Sequence, residues 1–258
     1  MNNKSAAIHV APTVHVSASY RYEQHYLFQN FNLTLPAGQW TCLLGPSGVG
    51  KTTLLRIIAG LINTQDSAIA ITTSDQLPLS TRLSFMAQDD LLLPWLTALQ
   101  NVLIGFQLRG EKKQLAYIKP QAEQLLVQVG LKDHQHKRPE ELSGGQRQRV
   151  ALVRTLIENH PVVLMDEPFA SLDAITRLQL QELAAQLLKK RTVLLITHDP
   201  LEALRLGDHI YVLQGSPVRL SDVIQPPGIA PRVTTDLSLL KLQAELLSKL
   251  AGDESCVT

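Results

Sequence analysis

Cysteine is almost missing from this chain of 258 residues. Cys42 and Cys256 stand alone, without CxxC or Cys/His spacing, which excludes a disulfide framework and a zinc site and leaves reduced thiols as the expectation. Net charge is missing too: Lys plus Arg is 24 and Asp plus Glu is 23, a balance of +1 that offers no footprint for nucleic acid, so no nucleic-acid partner is expected. No apolar run reaches the ~20 residues of a membrane span. The nearest, Leu91 to Leu108, is interrupted by Pro94, Gln100, Asn101 and Gln107. At the N-terminus, His9, Pro12 and His15 break a weakly apolar run before a secretory core can form, so the chain is expected to stay in the cytoplasm. Repeats and low-complexity tracts are absent, which excludes a solenoid. What is present, 45% hydrophobic residues against 18% charged, suffices for a packed core.

Short apolar runs bounded by turn signals recur at Trp40 to Leu44, Ala68 to Ile71, Leu83 to Ala87, Val162 to Met165, Val193 to Thr197 and His209 to Leu213. Several lack period-2 alternation, as strands buried on both faces do. Helical patterns lie between them, including Thr53 to Leu61 and Asp173 to Lys190, the latter with an expected stripe at the spacing of Ile175, Leu178, Glu182 and Leu183. Strands alternating with helices predict an α/β fold with a mainly parallel sheet. From Leu91 to Asn159 the rhythm breaks into helix-like segments, read as a helical insertion. After Gly215 the chain is rich in proline and then turns helical from Asp236 to Leu250, where Leu237, Leu240, Ala244 and Leu247 are expected to share the docked face.

The sharpest motif is Gly45-Pro46-Ser47-Gly48-Val49-Gly50-Lys51-Thr52, which satisfies GxxxxGK[ST] between a predicted strand and a predicted helix that begins at Thr53. Glycines let successive backbone N–H groups curl around phosphate oxygens, and the helix N-terminus adds its positive end. Lys51 then reaches the terminal phosphates and Thr52 ligates magnesium. A second element, Val162 to Met165 followed by Asp166 and Glu167, ends an apolar strand in two carboxylates. Chemistry in open α/β sheets gathers at carboxyl ends of strands, so Asp166 is the candidate magnesium-side acid and Glu167 the candidate base that orients and deprotonates water.

Leu142-Ser143-Gly144-Gly145-Gln146 separates this chain from other P-loop proteins. Ser143 with Gln146 three residues later is a capping-box pattern, and the two glycines leave the first helical N–H groups unobstructed. Here the chain resembles the ATP-binding cassette (ABC) family, whose LSGGQ signature stands as Leu142 to Gln146, and the resemblance runs from about Val14 to Leu250. It implies a P-loop NTPase with a RecA-like core, an antiparallel β portion and an inserted α-helical subdomain. The expected division is an ATPase domain over 1–235, with core about 1–88 and 160–215 and helical subdomain about 89–159, then a tail over 216–258.

The same resemblance implies residue roles. ATP is held by the loop from Gly45 to Thr53, with Tyr22 stacking on adenine, though Tyr20 is close enough to compete. Gln88 corresponds to the Q-loop residue near metal and water, and His198 to the switch histidine at the γ-phosphate. Ser143 to Gln146 and Asp173, in Ser171-Leu172-Asp173, complete the site of a second copy packed head to tail.

Gln88 to Trp95 is expected to receive a transmembrane permease, because Leu91 to Trp95 would be an odd surface uncovered. The wording Leu92-Leu93-Pro94-Trp95 resembles the nitrate, sulfonate and taurine importer subfamily, which includes importers of thiamine-precursor pyrimidines. That implies a peripheral subunit on the cytoplasmic face of the membrane, with a separate permease and an extracytoplasmic solute-binding protein. A soluble cassette ATPase without a transport role, or a split exporter subunit, are the alternatives.

Overall fold

Residues 11–22, 24–62, 67–233 and 235–251 are described by the computed structural model, so Cys256 lies outside them. The first strands are β1 (Val14–Tyr22), β2 (His25–Leu35), β3 (Trp40–Leu44) and β4 (Ala68–Thr73). β1 alternates strictly at its start, burying Val14, Val16 and Ala18 and turning His15 and Ser17 to solvent. It pairs antiparallel with both β2 and β4, Val14 standing opposite Leu35 on one side and Thr73 on the other. This three-stranded sheet, in the order β2-β1-β4, is the antiparallel portion that the resemblance implied.

Six strands form the second sheet: β3 with β5 (Leu83–Met86), β6 (Val162–Asp166), β7 (Thr192–Ile196), β8 (His209–Gln214) and β9 (Arg219–Leu220), in the order β5-β6-β7-β3-β8-β9. β3 runs parallel to both neighbours, with Leu43 opposite Ile196 and Tyr211. Every residue of β3, β6 and β7 is buried, which is why these runs showed no alternation. The helices are α1 (Lys51–Ile58), α2 (Ala98–Leu108), α3 (Lys112–Gln128), α4 (Gly144–Ile157), α5 (Ala174–Leu187), α6 (Pro200–Leu206) and α7 (Leu237–Ala251). Among the described residues no helix is long and apolar enough to cross a membrane.

The chain divides into two compact units. One comprises Met1–Leu83, His160–Val163 and Lys189–Thr258, the other Ser84–Asn159 and Leu164–Leu188, and the division passes through β5 and β6. In the first unit, Cys42 is fully buried in β3 and burial pushes its thiol pKa up, so it is an inert thiol. The proline-rich segment after β9 is secured by Arg232, which the sequence did not announce. Its guanidinium is 6% exposed and donates to the carbonyls of Leu204, Gly207, Pro226, Pro227 and Gly228, with Asp208 3.9 Å away. Five planar donors suit such a cluster of carbonyls as no lysine could.

Two expected helix faces are corrected. α7 buries Leu239 and Leu246, while Leu237, Leu240 and Leu247 are exposed. Leu239, Leu242, Leu246 and Leu250 form a second stripe at helical spacing, richer in leucine, and that stripe carries the buried positions. In α5, Leu180, Gln181 and Ala184 are buried, whereas Ile175 is 71% exposed and Leu178 46%. Apolar residues surround α5 on most sides, so periodicity alone could not choose its inner face.

In the second unit, α2 opens with a capping box, Thr97 Oγ1 accepting from the Gln100 amide and Gln100 Oε1 accepting from the Thr97 amide. Asn101, fully buried one turn later, ties down the preceding loop. Its Oδ1 accepts from the Leu93 amide at 2.7 Å, and its Nδ2 donates to the carbonyls of Leu93, Leu96 and Thr97. Removing this amide strands several part-buried backbone groups. Asn101→Ala is therefore expected to destabilise the protein by about 2 kcal/mol, read as a lowered urea midpoint; an unchanged midpoint would show that water replaces the side chain at no cost.

Candidate active site

In the first unit Gly45 to Gly50 of the GxxxxGK[ST] motif form the turn between β3 and α1, as the strand-loop-helix context predicted, and Lys51 and Thr52 already belong to the helix, which starts two residues earlier than expected. Gly50 caps α1 with φ 105, a conformation open to glycine, and itself supplies no side-chain cap. A Cβ on Gly45 would stand 2.8 Å from the Leu213 carbonyl oxygen of β8, so the loop can pass there only as glycine. Lys51 is 7% exposed, and its Nζ donates to the carbonyls of Gly45 and Pro46 at 2.7 and 2.8 Å. The ammonium thus lies inside the curl of its own loop. Ser47 and Gly48 are exposed at the tip, while Val49, Thr52 and Thr53 are half-buried.

His198 belongs to the same end of the same sheet. β7 is the parallel neighbour of β3, and the Thr197 amide donates to the Leu43 carbonyl at 3.2 Å. Thr197 is buried and Oγ1 accepts from the Asp199 amide, whose own carboxylate caps α6. The exposed ring of His198 follows directly from that fixed turn. The β1–β2 hairpin reaches the loop from another side: a Cβ on Gly50 would touch the Leu27 side chain at 3.1 Å. Beyond Leu27 the register pairs Tyr22 with His25 and Tyr20 with Phe28. Tyr22 is 63% exposed and Tyr20 half-buried, so Tyr22 has the more accessible ring. The neighbouring Arg21 is already engaged, its guanidinium 4.3 Å over the Tyr26 ring and donating to the Tyr26 hydroxyl.

The remaining candidates lie in the second unit. Asp166 is buried at the end of β6, and Glu167 after it has φ 48. A non-glycine residue in the left-handed region costs roughly 1 kcal/mol and departs from strand alternation, re-aiming the side chain. Next to it, the Pro168 carbonyl accepts from Gln148 Nε2 of α4 at 3.2 Å. Ser143 caps α4 as the spacing predicted, its Oγ accepting from the Gln146 amide while Gln146 Oε1 accepts from the Ser143 amide. A Cβ on Gly145 would lie 3.3 Å from the Ser171 carbonyl oxygen, so the signature turn runs beside the Ser171-Leu172-Asp173 segment. Asp173 caps α5 by accepting from the Thr176 amide at 3.0 Å, and that bond holds its carboxyl below the usual carboxylate range.

Gln88 is exposed two residues beyond β5. The chain just after it is secured by residues that motif reading missed. Arg147 Nε donates to Asp90 Oδ2 at 2.9 Å, and Arg154 donates to the carbonyls of Asp90 and Leu91. Arg147 and Arg154 lie two turns apart on one face of α4, so their spacing was the available signal. The loop they hold shows Leu91 61% and Trp95 66% exposed, while Leu92 is buried.

The family described as ABC transporter matches residues 28–170. An uncharacterized ABC transporter ATP-binding protein of Haemophilus influenzae is 46% identical over 88% of this chain and 94% of its own length. The aliphatic sulfonates import ATP-binding protein SsuB 1 of Rhodococcus jostii is 40% identical over 94% of this chain and 95% of its own length. Among solved structures, the ATP-binding cassette MJ0796, dimeric in a post-hydrolysis state and bound to ADP and Pi, gives a TM-score of 0.69 at 27% identity, covering 84% of this chain and all of that one. Motifs, fold and relatives agree: the chain belongs to the ABC transporter family and is an ATPase cassette of that family.

Proposed function

We propose that this chain is the ATP-hydrolysing subunit of an importer that takes up a small polar solute, of the nitrate, sulfonate or taurine type or a hydroxymethylpyrimidine-type thiamine precursor, through a separate permease. The observation that carries the reading is the Gly45 to Thr52 loop closing on Lys51, with His198 at the end of the adjacent parallel strand. The names of the relatives supply the direction of transport, import, and make sulfonates the first solutes to test.

In this reading the amides of Gly48 to Thr52 and the Lys51 ammonium bind the β- and γ-phosphates, the ammonium exchanging its two carbonyl partners for phosphate oxygens. Thr52, Gln88 and Asp166 offer the hard oxygen donors that magnesium takes alongside nucleotide phosphates. When bound, the ion neutralises charge on the phosphates. Glu167 takes the proton of the attacking water, His198 orients the γ-phosphate, and Tyr22 stacks on the adenine. Ser143 to Gln146 and Asp173 contact nucleotide held by a second copy, so the assembled pair is the active ATPase. The exposed Leu91 and Trp95, on a loop pinned by Asn101 and Arg154, suit docking of a permease, through which an extracytoplasmic binding protein delivers solute.

Three results follow. Glu167→Gln is expected to retain ATP binding, lower turnover by at least ~100-fold and accumulate an ATP-bound dimer, seen by steady-state phosphate release and light scattering; turnover at the wild-type rate would remove Glu167 from the role of base. Lys51→Ala is expected to weaken fluorescent-ATP affinity by ~100-fold or more, as loss of a charge-assisted contact to phosphate requires, and unchanged affinity would place the nucleotide elsewhere. In a strain lacking the gene, uptake of a labelled alkanesulfonate, taurine, nitrate or hydroxymethylpyrimidine should fall for one of the four; normal uptake of all would refute this solute assignment.

A further inference from the structure

The side chain of Gln146 uses both ends. Its Oε1 accepts from the Ser143 amide at 2.8 Å, and its Nε2 lies 3.1 Å from His134 Nε2. The first bond dictates the second. A backbone N–H can only donate, so the amide oxygen must face Ser143, and the NH2 group, a donor only, must face the ring. His134 therefore accepts at Nε2, and its neutral ring carries the hydrogen on Nδ1. That Nδ1 is buried with no hydrogen-bond partner among the described residues. Buried polar atoms are rarely left so, and one that is asks for a reason. Here the ring is oriented for Gln146 at the expense of its own second nitrogen.

His134 is mounted independently of α4. It ends the 3-10 turn Lys132–His134, where its amide donates to the Leu131 carbonyl and its carbonyl accepts from the Lys137 amide. The next residue, Gln135, donates from Nε2 to the Glu123 carbonyl of α3 and accepts at its carbonyl from the Leu99 amide of α2. The ring thus projects from a turn tied to α2 and α3 and braces a side chain at the first turn of α4. Gln146 transmits the brace, because the same side chain closes the capping box on Ser143.

We propose that His134 is a positioning residue for the signature segment: by accepting from Gln146 Nε2 it holds the amide that caps Ser143, and so fixes Ser143, Gly144 and Gly145 in the attitude that meets nucleotide on a second copy. This rests on the reading of the preceding subsection, in which the segment faces a partner's ATP. His134 is no catalytic residue, since it acts only through Gln146. A leucine in its place would fill similar volume but could not accept. A glutamine would bring an oxygen to nearly the position of Nε2.

The test uses the full chain carrying Glu167→Gln, with ATP-dependent dimerisation measured by sedimentation and nucleotide affinity of the monomer by fluorescent ATP. His134→Leu is expected to raise the dimer Kd by about tenfold, the effect of one lost hydrogen bond on an equilibrium, while monomer affinity for ATP stays unchanged. His134→Gln should restore most of the loss. A His134→Leu dimer as tight as its parent overturns the proposal, and so does a His134→Gln dimer as weak as His134→Leu. If His134→Leu fails to fold, 15N spectra of the histidines in the unmodified chain decide. A neutral His134 ring protonated at Nδ1 is expected, and one protonated at Nε2 overturns the assignment. Should the Glu167→Gln parent not dimerise with ATP, the fault lies in the underlying reading, and the tautomer still judges the His134 to Gln146 bond by itself.

Discussion

The Lys51 ammonium bonded to the carbonyls of its own loop is the interaction on which the rest depends. A buried charge needs compensation, and at 7% exposure Lys51 receives it from two backbone oxygens that a left-handed glycine turn aims inward. The loop that supplies those oxygens is the same one that the proposed function assigns to the phosphates of ATP. β3 has to be rigid for this to work. It is buried throughout, sits between two parallel neighbours, and delivers the loop beside the turn that carries His198. Electrostatic preorganisation of this kind costs nothing at the moment of reaction because folding has already fixed the dipoles.

Elements governed by local chemistry were legible in the sequence. The loop from Gly45 to Thr52, the carboxylates ending β6 and the Ser143 capping box each rest on short-range rules of backbone geometry, and the described structure contains a turn, a strand end and a cap at those places. Buried parallel strands were legible because a run without alternation and bounded by turn residues has few other places to go. β1 and β2 escaped notice as strands, since polar residues at alternate positions dilute their apolar content, though the alternation of Val14, Val16 and Ala18 was there to be read.

What escaped was decided by tertiary partners. Leucines ring α5 and α7, and which stripe goes inward depends on the surface that each helix meets rather than on its own period. Long polar side chains that bond to distant carbonyls leave even less trace. Arg232 serves five carbonyls and Asn101 three, yet each reads in sequence as an ordinary solvated residue. The left-handed φ of Glu167 is likewise invisible beforehand, because nothing in Asp-Glu-Pro demands it. Strain of that sort persists where the surroundings over-determine it, here with Gln148 of α4 bonded to the very next carbonyl.

Within the second unit these missed contacts share a logic. Arg147 and Arg154 reach from α4 to Asp90 and Leu91, and Asn101 reaches from α2 to Leu93 and Leu96. The exposed Leu91 and Trp95 therefore sit on a loop that cannot shift without disturbing two helices, one of which begins with the Ser143 cap. Two of the three arginine bonds, those to Asp90, are partly shielded from water, and all three are directional. The polar ties therefore join an exposed apolar loop to the helix whose first turn carries the Ser143 cap.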